Sequence, residues 1–223
     1  MELSMSPESE TKTLPAYARA RQPKRARYDE ETIHGILDTG LVGHVGFVAD
    51  GRPMVIPMAY ARVGGTLYLH GASKTRIARL DGIPMCMTAT QLTGIVAARS
   101  GFHHSVNYRS AVVHGTARHV DGEELDAALE AITDHLLPGR TAEIRPMTAQ
   151  ERKATGVVAL DIDHASAKVR TGPPVDDEED HALGLWAGVV PVTTALSTGV
   201  QDAYTPEGAA EPASIAAARR KFA

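Results

Sequence analysis

Ile33, Ile36 and Leu37 recur at the spacing of one helical face, with Asp29 before them as a side-chain cap and Gly40 after them as a stop. That pattern predicts a helix over 29–40. From Leu41 the apolar period changes. Residues 41–49 read as a strand, Asp50-Gly51 as a hairpin turn, and 52–62 as the returning strand, with Pro57 marking an edge, bend or bulge. Gly64-Gly65 turns the chain again, into a short strand over 66–70. Three strands joined by tight turns make an antiparallel meander and not a βαβ unit. A short helical pattern follows, ending near Asp81-Gly82. Residues 84–90 and 94–100 read as two halves of one long strand bent near Gly94, and 106–120 as another long strand. Over 121–137, Leu125, Leu129, Ile132 and Leu136 share a helix face closed by Pro138-Gly139. Strands over 156–163 and 167–171 bring the barrel to about six. The expectation is a mainly β fold with peripheral helices. Residues 1–27 are expected as a polar then basic arm, 28–194 as the main domain, and 195–223 as a tail with a short helix near 213–221.

Composition narrows this picture. Hydrophobic residues make up 43% of the 223, but aromatics only 4%, so the core must be built mainly from Val, Ala, Leu, Ile and Met. The formal net charge is −4, which gives no global basic field to recruit nucleic acid. Any anion must be held locally. The single cysteine, Cys86, excludes an intramolecular disulfide framework and a CxxC metal site, and fits a reducing compartment. No apolar run approaches the roughly 18 residues of a membrane span. The polar start, Met1 to Thr13, lacks the apolar stretch of a signal peptide. A cytoplasmic protein without membrane contact is expected.

Two segments carry candidate chemistry. In His70-Gly71-Ala72-Ser73-Lys74-Thr75-Arg76 a strand ends, a glycine lets the backbone turn, and a helix is expected to begin near Ser73. Free N–H groups at a helix start favour a phosphate, with hydroxyl and cationic side chains nearby; Ser73 as a plain helix cap is the alternative. In Ser105-Val106-Asn107-Tyr108-Arg109-Ser110, strand alternation puts Asn107 and Arg109 on one face. Ala111, Val113 and Ala117 continue that face as apolar, which suggests a polar mouth on a buried surface; a solvent face is the alternative. His103-His104 point apart if extended and the other histidines are scattered, so no metal site is expected. No Gly-x-Gly-x-x-Gly or P-loop is present. The acidic run Asp176 to Asp180 reads as a helix start complementing the dipole. Trp186, the lone tryptophan, is a core or interface residue.

Several strings together resemble a known family: Val55-Ile56-Pro57, Leu67-Tyr68-Leu69-His70-Gly71, Ala98-Arg99-Ser100, Phe102-His103-His104-Ser105-Val106-Asn107-Tyr108-Arg109-Ser110, Ser166-Ala167-Lys168-Val169-Arg170-Thr171-Gly172-Pro173-Pro174 and Trp186-Ala187-Gly188-Val189. They are similar to the flavin-nucleotide-binding branch of the pyridoxamine-phosphate-oxidase-like superfamily, which includes the nitroimidazole-resistance proteins. The resemblance runs from about Tyr28 to Pro191. It implies a six-stranded antiparallel FMN-binding split β-barrel, and a homodimer with FMN in clefts at the subunit interface. By family position FMN would be held by His70, Gly71, Ser73, Lys74, Arg76, Ser105, Asn107 and Arg109. Pro57, Met58, Ala59 and Tyr60 would run beside the isoalloxazine ring, and Trp186 would approach from the second subunit.

The sequence departs from the family at Thr93, often Asp, at Thr141, often Trp, at Val106, often Met, and at Gly101, often Ala. The resemblance implies an FMN-dependent oxidoreductase acting on a small molecule, with no catalytic side chain identified and no pyridoxamine phosphate chemistry implied. Two other readings stay open: a non-catalytic FMN-binding or storage protein, and a haem-binding split barrel with axial ligands among ten histidines.

Overall fold

The computed structural model describes residues 14–223. In chain order its elements are β1 (Ala26–Arg27), α1 (Glu30–Asp38), β2 (Gly43–Ala49), β3 (Arg52–Met58), β4 (Tyr60–Val63), β5 (Thr66–Ala72), β6 (Pro84–Ala97), β7 (Ser105–Val120), α2 (Gly122–Leu136), α3 (Ala149–Ala154), β8 (Thr155–Asp161), β9 (His164–Arg170), β10 (Gly188–Pro191) and α4 (Ala213–Lys221), with short 3-10 turns between some of them. The fold is mainly β and antiparallel, as expected. Its strands exceed six because the segment expected over 52–62 breaks at Ala59, and because β1 and β10 are too short to leave an alternating pattern.

Two compact units interleave along the chain. One holds the described residues through Leu37 with Thr88–Val113 and His164–Thr193; the other holds Asp38–Met87, His114–Asp163 and Thr194–Ala223. The long strands β6 and β7 contribute to both. Of the three expected segments, the main segment 28–194 is divided between the units, while the described part of the arm falls in the first and the tail in the second.

In the first unit, Asp29 caps α1 as expected, its Oδ1 accepting the Thr32 N–H at 2.8 Å. Ile33, Ile36 and Leu37 of that helix are buried. The arm predicted over 1–27 lies outside the described residues as far as residue 13. From residue 14 onward it packs against the sheet: Ala18 is buried and β1 pairs with β9, Ala26 opposite Lys168. The other end of the unit is closed by β10 on β6, Gly188 opposite Ala97 and Pro191 opposite Gly94.

In the second unit, the β2–β3 hairpin is in register from Gly43 opposite Met58 to Ala49 opposite Arg52. Its turn places Asp50 at φ 51° and Gly51 at φ 70°, the left-handed pair that a two-residue hairpin needs. β8 lies between β5 and β7, and β4 flanks β5. Val157, Val158, Ala159 and Leu160 of β8 are all fully buried, the continuous apolar run of a strand covered on both faces. α2 lays Leu125, Ala128 and Leu129 onto Val120, Val157 and Ala159. Each fully buried Leu or Val contributes about 1.5–3 kcal/mol. β7 and β8 approach so closely at Gly115 that a Cβ there would lie 2.0 Å from the Asp161 carbonyl oxygen.

The helix expected near 213–221 is present as α4 and docks within this second unit. Ser214 donates to Glu143 through both its N–H, at 3.1 Å, and its hydroxyl, at 2.5 Å. Lys221 Nζ donates to the His135 carbonyl at 2.5 Å, and Phe222 is buried with its ring 6.2 Å from that of His135.

Candidate functional site

The segment after β5 differs from its sequence reading. β5 continues to Ala72, two residues past its expected end. Ser73 opens no α-helix: its N–H donates to the Ala154 carbonyl at 2.8 Å, and the N–H and hydroxyl of Thr75 both donate to the Ala72 carbonyl, at 2.8 and 2.7 Å. The helical turn that follows, Ile77–Arg79, is a three-residue 3-10 turn. The expected phosphate site at a helix start is thus corrected, because the turn has no macrodipole to offer and the Ser73 amide is already bonded. What the segment retains is an exposed His70 and the side chains of Lys74, Thr75 and Arg76, with Arg76 3.6 Å from the Asp50 carboxylate. Beside it lies a cavity of about 400 Å³ whose walls include Ser73, Ala78, His119, Asp121, Arg152 and Thr155.

Of the four residues expected along a flavin ring, Pro57 is exposed and Met58 and Ala59 are half-buried. Tyr60 is fully buried with its ring 5.1 Å from His135. Burial, and secondarily the Asp38 carboxylate, push its ionisation well above that of an ordinary phenol. Its side chain is therefore a core residue, which corrects its expected place beside a ligand. His135 donates from Nε2 to the Gly40 carbonyl at 2.7 Å. Burial, aided by the Lys221 charge, holds its pKa below the usual value, opposed by the Gly40 bond and by Asp38.

In the first unit, Asn107 lies on a buried face as the alternation predicted: it is 7% exposed, and Ala111 and Val113 beyond it are fully buried. Its amide, however, serves the fold. Nδ2 donates to the Gly172 carbonyl at 3.0 Å, and Oδ1 accepts a bond from Nη1 of Arg170, itself 8% exposed. A charged guanidinium at that depth needs an acceptor, and Asn107 supplies it, so the expected cofactor role gives way to a structural one. Arg109, two residues on, is half-buried, with a guanidinium nitrogen 3.7 Å from where a side chain at Gly35 would begin; Ser105 is half-buried too.

The acidic run does open a helical turn, with Glu178, Glu179 and Asp180 in its first turn and Asp176 standing outside it. Asp176 accepts from the N–H and guanidinium of Arg99 at 2.9 and 2.8 Å with its own side chain fully buried, and Glu178–Leu183 forms a 3-10 turn. His103 Nε2 lies 3.3 Å from Asp177, and His104 Nδ1 lies 2.8 Å from the Ser100 carbonyl. Trp186 is 69% exposed, its indole resting on Gly188, where a Cβ would meet the ring at 3.1 Å. The end of β5 and the loop after it fall in the second unit, whereas Asn107, Arg109 and Trp186 fall in the first. Sequence reasoning missed His135 and the partners of Arg99 and Arg170. The Lys168-Val169-Arg170-Thr171-Gly172 string singled out Arg170 by resemblance, but nothing local announces its partner. Among the described residues no group of three or more His, Cys, Asp or Glu side chains gathers as a metal site, and no helix is long and apolar enough to cross a membrane.

Comparison with solved structures gives relatives over nearly the whole chain. The flavocytochrome Anf3 from Azotobacter vinelandii is 37% identical, with 91% of this chain and 96% of that one covered and a TM-score of 0.84. A FAD and haem binding protein from Mycobacterium smegmatis is likewise 37% identical, covering 87% and 97%, also at 0.84. A Bacteroides thetaiotaomicron protein ascribed to 5-nitroimidazole antibiotic resistance is 21% identical over 65% and 87%, at 0.54, and shares the fold. None of the curated proteins matches. The model of the pyridoxamine 5'-phosphate oxidase family matches residues 29–169, from the cap of α1 almost to the end of β9. With more than half of its length matched to that model, the chain belongs to the pyridoxamine 5'-phosphate oxidase family.

Proposed function

We propose that this chain is a redox protein that binds a flavin nucleotide together with haem. The observation that carries the reading is the 37% identity, over about nine-tenths of the chain, to a flavocytochrome and to a FAD and haem binding protein. FMN is the flavin implied by the sequence motifs. The mycobacterial relative is a FAD protein, so FAD ranks ahead of FMN here. Haem moves from an alternative to flavin to its companion.

When bound, the flavin supplies one- or two-electron chemistry and the haem one-electron chemistry. The chain's own part is binding and orientation. Lys74 and Arg76, exposed on the loop after β5, and Arg109, half-buried on β7, are cations of the kind that hold a nucleotide phosphate, with Ser73 and Ser105 as hydroxyl donors. His70 and Gly71, near the end of β5, lead into that loop, and Pro57, Met58 and Ala59 offer a surface at the end of β3 for a planar ring. Trp186 at 69% exposure, with Leu183 and Leu185 exposed close by, suits an anchor that a second copy of the chain would cover. A homodimer with the flavin at its interface follows from that reading.

The test is the absorption spectrum of the purified chain, as isolated and after supply of FAD, FMN and hemin, with the released flavin identified by mass. Flavin bands in the blue and near ultraviolet beside a Soret band are expected. A chain that takes up neither flavin from a stoichiometric mixture overturns the proposal.

A further inference from the structure

We propose that His104 is an axial ligand to the haem iron. This rests on the haem-binding reading above. His104 stands immediately before β7, after a tight turn at residues 101–103. Its Nδ1 is 2.8 Å from the Ser100 carbonyl oxygen. A carbonyl only accepts, so Nδ1 carries the proton, and in a neutral imidazole the lone pair is then on Nε2. The residue is exposed, so Nε2 is open to an incoming metal. An imidazole whose second nitrogen donates to a backbone carbonyl is the arrangement by which proteins orient a metal-bound histidine and raise its basicity.

In two other histidines with ring hydrogen bonds it is Nε2, the nitrogen farther from the backbone, that is engaged. His103 directs Nε2 at the Asp177 carboxylate, and His135 uses Nε2 on the Gly40 carbonyl in a buried position. The neighbours of His104 also suit a porphyrin. Phe102, two residues before it, is 88% exposed, and Val106, two residues after it, is 39% exposed. Exposed apolar side chains two residues to either side of His104 in the sequence suit a ligand that is a flat apolar disc around a metal centre. In binding, the Nε2 lone pair forms an Fe–N bond and displaces an axial water or hydroxide from ferric haem. No electron changes hands and Nδ1 keeps its proton.

The test uses the full chain freed of cofactor and titrated with hemin. Absorption and electron paramagnetic resonance spectra are recorded for the wild type and for His104→Gly, His104→Met and His103→Ala. The wild type and His103→Ala are expected to give the same nitrogen-ligated spectrum. His104→Gly should lose that spectrum, and added imidazole should restore it. His104→Met, read in case the glycine variant does not fold, should change the resonance signal to that of a different axial ligand. If the wild type binds hemin and both His104 variants give unchanged spectra, the assignment is overturned while haem binding stands. If the wild type takes up no hemin, the haem reading falls and the assignment with it.

Discussion

Replacing Asn107 by alanine separates a structural from a cofactor role for that side chain. The substitution removes the acceptor for Arg170 Nη1 and the donor to the Gly172 carbonyl at once. A bond to a charged group contributes about 1.5–3 kcal/mol and a neutral one about 0.5–1.5 kcal/mol, so the expected loss is about 2–4.5 kcal/mol. Arg170 is 8% exposed and has little access to replacement water, which favours the upper half of that range. With a urea slope of about 2 kcal/mol per molar, the unfolding midpoint should fall by about 1–2 M with the slope unchanged. The assay is urea denaturation of the cofactor-free chain, followed by circular dichroism. A midpoint within about 0.25 M of wild type, equivalent to about 0.5 kcal/mol at that slope, would refute the structural account, most sharply if flavin affinity fell at the same time.

Gly115→Ala should abolish stable folding, since its Cβ would overlap the Asp161 backbone; a cooperative thermal transition near that of wild type in circular dichroism would count against the close approach of β7 and β8. His135 has a folded-state pKa lowered first by burial, so its contribution to stability is complete above about pH 6.5 and is lost as pH falls through the folded value. Urea midpoints between pH 8 and pH 5 should therefore fall less steeply for His135→Gln than for wild type, and parallel curves would show that the ring does not titrate in this way. Arg99→Ala leaves the buried Asp176 carboxylate with the backbone N–H of residue 99 but without its guanidinium partner, and amide exchange over 176–186 should quicken while that of β8 stays slow; unchanged exchange there would show the segment is held by other contacts.

Legibility in the sequence followed how local the determining physics was. The cap at Asp29, the Asp50-Gly51 turn, the apolar stripe of α2 and the small helix α4 are all set within a few residues, and each lies where the pattern put it. The buried side of β7 was legible from alternation alone. What Asn107 does there was not, because Arg170 arrives from 63 residues away. The same limit explains Asp176, which looked like part of an acidic helix start until Arg99, 77 residues distant, engaged it. At Ser73 the local signal misled: strand β5 ran on, and the amide that a helix would have left free found the Ala154 carbonyl. Tyr60 was placed by family position, which carried no information on its burial.

Strand β6 changes the side it buries partway along. Met85, Met87 and Ala89 are buried, and then Gly94 and Val96. The first set falls on odd positions and the second on even ones, so the four residues 90–93 act as a phase shifter. Their number matters more than their chemistry. Substitutions at Thr90, Leu92 or Thr93, all exposed, are expected to be absorbed. Removing or adding a single residue there would leave one half of the strand in place and turn the other inside out, exposing Val96 and forcing Ile95 inward. Natural variants of this chain should therefore differ freely in the spelling of that segment and hardly at all in its length.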